Sequence, residues 1–170
     1  AEQRGAPCID ESLPEPVRAF LRGGGMLERI RLDEDGRWWH QGEPFQNYEN
    51  VIRAAKVISH PAGLAIDSTD ITISTAGIAP AIRKYTQDGH KFRLTVSLTS
   101  ARSESRRLLM PIERKYPIEE LVAAIKEHAV ASRHRVTVAW VAIGGPDGNC
   151  TEDEAIALGE RFRDVPIRLD

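Results

Sequence analysis

Between residues 47 and 170 the sequence alternates helix-period and strand-period runs four times, and this alternation narrows the folds open to it. A strand that leads to a parallel neighbour needs a crossover, usually a helix. Repeated β–α units therefore imply a parallel sheet covered by helices. Asn47 stands where it can cap a helix whose Val51, Ile52, Ala55 and Ile58 share one face, and His60-Pro61-Ala62-Gly63 stops that helix. A strand is predicted over 70–75, then a helix over 77–87 with Pro80 near its first turn. A strand over 92–98 and a short helix over 104–109 follow. Pro117 opens the clearest helix, with Ile118, Leu121, Val122, Ile125 and Ala129 on one stripe and Glu119 and Glu120 in its first turn. Residues 135–143 are nearly continuously apolar, as a parallel strand covered on both faces would be. Thr151-x-x-Glu154 reads as a capping box for a helix over 152–163, and Val165 to Leu169 as a last strand. The fold class is α/β, with a parallel sheet or an incomplete (β/α) barrel.

The head reads differently. Residues 1–13 lack periodicity, and Pro14-Glu15-Pro16 opens a short helix that Gly23-Gly24-Gly25 ends. Leu27 to Leu32 alternates apolar and charged residues, Asp33-Glu34-Asp35-Gly36 reads as a turn and Arg37-Trp38-Trp39-His40 resumes as a strand, so residues 27–40 have the pattern of a β-hairpin. The expected division is 1–45 for leader, helix and hairpin and 46–170 for the α/β part. A composition of 41% hydrophobic and 28% charged residues is that of a folded globular chain, and a net charge of -2 argues against a general nucleic-acid binder. No apolar run reaches the roughly 18 residues of a membrane span, and the polar start is not a secretory signal, so a cytoplasmic location is expected. The two cysteines, Cys8 and Cys150, cannot build a four-cysteine zinc site. His40, His60, His90, His128 and His134 show no metal-binding spacing; His128 and His134 flank a helix end and read as solvated.

Candidate chemistry gathers where apolar runs end in small or polar groups: His40-Gln41-Gly42-Glu43-Pro44, then Ile71 to Gly77, then Arg93 to Thr99. Ligands of parallel α/β sheets and barrels bind at the carboxyl ends of the strands, so these ends outline one pocket. Arg102, Arg106, Arg107, Arg114 and Lys115 form a basic stretch nearby that could meet RNA phosphates, or be a solvated face balanced by Glu104 and Glu113. Trp38-Trp39 could stack a base or fill a small hairpin core. Gly144-Gly145-Pro146-Asp147-Gly148 lacks the spacing of a dinucleotide loop.

The order Gly42-Glu43-Pro44, Ile73-Ser74-Thr75-Ala76-Gly77, Ser97-Leu98-Thr99, with Met110-Pro111-Ile112-Glu113-Arg114-Lys115-Tyr116 downstream, resembles the radical S-adenosylmethionine enzymes that methylate C2 of an adenine in ribosomal RNA, and their relatives, over about residues 42–170. The resemblance implies a barrel fold, S-adenosylmethionine as cosubstrate and a [4Fe-4S] cluster. It also implies cosubstrate contacts at Gly42, Glu43, Ser74, Ser97 and Thr99, with Glu43 accepting from the methionine ammonium. Thr99 stands where the family has His, and the family's Cys-x3-Cys-x2-Cys cluster loop has no counterpart in this sequence. Residues 33–45 resemble a small bacterial family with an R-W-W-H-x-G-E-P hairpin, which places a junction near residues 42–45. The implied function is a truncated or degenerate radical S-adenosylmethionine domain without radical chemistry, with weak or lost cosubstrate binding. The alternative is a non-enzymatic interaction module that uses the hairpin. Exposed sheet edges of a partial barrel would favour self-association.

Overall fold

The structure, a computed structural model, describes residues 31–32, 38–39, 42–132, 135–145 and 148–170. The described residues fall into two compact units, one within 1–42 and 47–71, the other comprising 43–46 and 72–170.

In the first unit, β1 (Arg31–Leu32) pairs antiparallel with β2 (Trp38–Trp39), Arg31 opposite Trp39 and Leu32 opposite Trp38. The expected hairpin is therefore present. Its turn, the Trp38 and Trp39 side chains, the leader with Cys8, the helix expected after Pro14, and His40 lie outside the described residues. The chain re-enters this unit at Asn47, the last residue of a 3-10 turn (Pro44–Asn47), and continues as helix α1 (Tyr48–Ser59), which buries Tyr48, Ile52, Ala54 and Ala55. Asn47 occupies the N-cap position but does not cap with its side chain; its Oδ1 instead accepts from Asn50 Nδ2 at 2.7 Å. After the helix, the chain folds back so tightly that a Cβ on Gly63 would lie 2.1 Å from the Val57 carbonyl oxygen, so glycine is required there.

The second unit runs β3 (Thr72–Thr75), α2 (Ala79–Gln87), β4 (Arg93–Ser97), α3 (Ser103–Leu109), α4 (Ile118–Ala131), β5 (Val136–Ala139), α5 (Glu152–Phe162) and β6 (Ile167–Leu169). Its four strands are parallel and ordered β3-β4-β5-β6. Strand order never reverses, so this is the winding of a barrel wall and not of a doubly wound sheet. Burial alternates accordingly. Ile73, Leu94, Val96, Val136 and Val138 are buried on one face, in a core that also holds Ile82, Tyr85, Leu121 and Ile125. Ser74, Thr95, Ser97, Thr137 and Ala139 lie on the other face and are exposed or half-buried. The register aligns Ser74, Thr95, Thr137 and Arg168 in one row across that face.

Three expectations need correction. The apolar run 135–143 is a strand only over Val136–Ala139, and only one of its faces is buried. Trp140 and Val141 reflect β propensity beyond the end of the strand. His128 is buried, not solvated: its position on α4 puts it against α2, where its Nδ1 lies 2.9 Å from Thr86 Oγ1. The capping box is half formed. Thr151 Oγ1 accepts from Glu154 N at 3.3 Å, but the Glu154 carboxylate turns to a different loop.

Candidate cosubstrate site at the carboxyl edge

Every strand-end segment along β3, β4 and β5 is tied down by a buried or half-buried polar side chain. At β3, the Glu43 carboxylate is the tie. Its Oε1 accepts from Thr75 Oγ1 at 2.7 Å and from Phe45 N at 3.0 Å, and its Oε2 from Ala76 N at 2.6 Å. Gly42, immediately before it, has φ 125, a conformation that glycine takes without strain. Gly77 has φ 106, and a Cβ there would meet Leu121 Cδ2 at 2.8 Å.

At β4, the tie is a fully buried ion pair. Arg106 Nη1 donates to Glu113 Oε2 at 2.6 Å, and both side chains are 0% exposed. The remaining guanidinium donors reach Leu98 O at 3.2 Å and Ala76 O at 2.9 Å, which joins the ends of β3 and β4. Glu113 Oε1 accepts from Ser103 Oγ at 2.7 Å and Ile118 N at 3.1 Å. Burial pulls the Arg106 guanidinium below its usual pKa, and the hydrogen bond and charge of Glu113 oppose that shift. A buried charge is tolerable only when so completely bonded.

At the loop after β4, Glu154 accepts from Ser100 Oγ at 2.8 Å and Ala101 N at 2.7 Å. After β5, Asn149 donates through Nδ2 to Thr99 O and to Val141 O, and accepts through Oδ1 from Ile143 N at 2.7 Å.

The expected site residues are placed as follows. Glu43 holds the end of β3 through Thr75 and Ala76, the residues next to Ser74. Ser74 is exposed and Ser97 half-buried. They share one face, since Ser74 pairs with Thr95, two residues before Ser97. Thr99 is 8% exposed and has φ 61. Glu43, Ser74 and Ser97 thus lie toward one sheet edge, whereas the Thr75 hydroxyl that Glu43 uses belongs to the helix-covered face. Of the basic stretch, Arg106 is withdrawn from any RNA surface by its burial against Glu113, while Arg102, Arg107, Arg114 and Lys115 are exposed. Sequence reading missed Thr75, Glu113, Asn149 and Glu154 as organisers of the edge. Two of these positions carried a signal: Glu113 read as balancing the basic stretch on a solvated face, and Glu154 as a local cap.

The cluster implied by the resemblance does not fit these residues. Two cysteines cannot supply a three-cysteine loop, Cys150 is exposed, and among the described residues no three His, Cys, Asp or Glu side chains are grouped to hold a metal ion. Among the described residues, no helix is long and apolar enough to cross a membrane.

No protein-family model matches the chain. It is 52% identical over 130 residues to an Anaeromyxobacter protein named a probable RNA methyltransferase, a match covering 76% of this chain and 38% of the relative. It is 45% identical over 129 residues to a Myxococcus xanthus protein of the same description, covering 76% and 36%. A dual-specificity RNA methyltransferase RlmN of Sorangium cellulosum is 33% identical over 151 residues, covering 88% and 38%. The crystal structure of a radical SAM methyltransferase from Sphaerobacter thermophilus superposes with a TM-score of 0.72 at 32% identity, over 80% of this chain and 41% of that one. The chain spans less than two fifths of the length of these curated relatives. Common sequence and a common fold make this chain a relative of the radical S-adenosylmethionine RNA methyltransferases.

Proposed function

We propose that residues 42–170 carry part of an S-adenosylmethionine site of the RNA-methyltransferase type, and that this chain binds the cosubstrate weakly and performs no radical chemistry. The observation that carries the reading is the Glu43 carboxylate. A carboxylate offers about four acceptor positions. Among the described residues three are taken, two on Oε1 and one on Oε2. The remaining position on Oε2 suits one N–H of an ammonium, and such a charge-assisted bond is roughly twice as strong as a neutral one. Gly42 allows close approach of the ligand, Ser74 and Ser97 offer hydroxyls on the open face, and Thr99 shapes the neighbouring loop.

The cluster that the resemblance implies would supply both a grip on the methionine moiety and an electron. Residues 1–170 supply neither, so the remaining contacts give low affinity. Each lost polar contact at ~1–3 kcal/mol lowers affinity by about one to two orders of magnitude. RNA is the partner class that the relatives' names suggest. Exposed Arg102, Arg107, Arg114 and Lys115 are its candidate contacts, in a cytoplasmic setting. The decisive experiment is anaerobic reconstitution with iron and sulfide, followed by reduction in the presence of S-adenosylmethionine. We expect no stoichiometric cluster and no 5′-deoxyadenosine. About four irons per chain with release of that product would overturn the reading.

A further inference from the structure

We propose that Asn149 is a positioning residue that clamps a strained turn at Thr99, and that this turn shapes the ligand-facing end of β4; the inference rests on the S-adenosylmethionine reading above. Thr99 has φ 61. Ser100 N donates to Leu98 O at 2.7 Å, a bond that spans only two residues. Together these define a γ-turn of the positive-φ kind, which is rare and strained. A β-branched residue is among the least suited to such a backbone, and glycine would adopt it freely.

Strain of this sort persists only where the surroundings over-determine it. They do so here. Asn149 and Glu154 are each 2% exposed. Asn149 Nδ2 donates to Thr99 O, Glu154 accepts from Ser100 Oγ and Ala101 N, and Arg106 Nε donates to Leu98 O. Each residue from Leu98 to Ala101 is therefore gripped by a side chain from elsewhere. The partners also settle the Asn149 amide: two carbonyls face its NH2 group, and the Ile143 N–H faces its oxygen. The same side chain thus joins the ends of β4 and β5. Held in this way, the chain turns sharply just beyond Ser97 and does not run on extended past the sheet edge.

The test is a double-mutant cycle on the full chain combined with binding. Thr99→Gly removes the strain, and the gain exceeds the extra entropy of glycine in the unfolded chain. We expect the folding equilibrium constant to rise about three- to tenfold. Asn149→Ala lowers it, and lowers it more in the Thr99→Gly background, because there the loss of the clamp relieves no strain. In calorimetric titration with S-adenosylmethionine, Asn149→Ala, checked for folding, binds at least tenfold more weakly than the unaltered chain. A purely structural clamp would change stability and leave binding alone. Equal or lower stability of Thr99→Gly, independent effects in the cycle, or unchanged binding by folded Asn149→Ala would overturn the proposal. If Asn149→Ala does not fold, Asn149→Ser, whose hydroxyl keeps one donor, is titrated in its place. No titration by the unaltered chain would remove the cosubstrate reading and the positioning role together, whereas equal titration by the Asn149 variant removes the positioning role alone.

Discussion

Arg106 and Gly77 show how little freedom individual residues have at this edge. The Arg106–Glu113 pair lies wholly out of solvent and fixes the ends of two strands. Removing one member leaves the other charged and unpaired in the interior. Glu113→Ala should therefore destabilise the chain by about 3–5 kcal/mol, as read from urea denaturation. A loss under 1 kcal/mol would mean that Arg106 finds water. Gly77 combines φ 106 with a side-chain-free approach to Leu121. Gly77→Ala should cost roughly 1–3 kcal/mol from backbone strain alone. Gly77, Glu43 and Ser74 could be singled out in the sequence as candidates because each sits in a short string at the end of an apolar run. Thr75 was not, since its use by Glu43 depends on a contact across 32 residues.

At the scale of elements, the pairing of α2 with α4 gives a pH dependence. Arg83 meets Glu127 at 3.0 Å, and His128 lies against Thr86 and the Tyr85 ring. Burial lowers the His128 pKa below its ordinary value, so the folded chain resists the proton that the unfolded chain accepts. Stability from this residue is fully present above about pH 6.5 and declines as the pH falls toward the lowered folded-state value. The denaturation midpoint should drop between pH 7.5 and pH 5.5, and His128→Gln should drop less. Equal drops would show that other groups carry the effect. Element order and approximate bounds could be read from periodicity and punctuation, because β–α alternation is a local signal. The burial of His128 could not, since the α4 stripe gives a helix face but not its neighbour. The apolar run after Arg135 was overread for the same reason: hydrophobicity does not say which face a helix covers.

At the scale of the molecule, the sheet has the consecutive order of a barrel wall, with β3 and β6 as its edges among the described residues. Uncovered edges offer unpaired backbone groups. We propose that this chain self-associates through them. Sedimentation should then show a mass that grows with concentration, and a constant monomer mass would exclude the idea. The long-range ties that make the carboxyl edge rigid, Asn149 to Thr99 and Glu154 to Ser100, span 50 and 54 residues. Sequence pattern has no means of pairing residues so far apart, which is why motif reading could name candidate site residues but not the ties that hold the edge.

We propose that Glu43, fixed at the end of β3, accepts a ligand ammonium. The most direct measurement titrates the unaltered chain and Glu43→Ala, each checked for folding, with S-adenosylmethionine and with 5′-methylthioadenosine, which lacks the amino-acid arm. The unaltered chain should prefer S-adenosylmethionine by about tenfold or more, the worth of one charge-assisted bond, and Glu43→Ala should bind both ligands alike. Equal affinity of the unaltered chain for the two ligands, or a preference that survives the loss of Glu43, would contradict it.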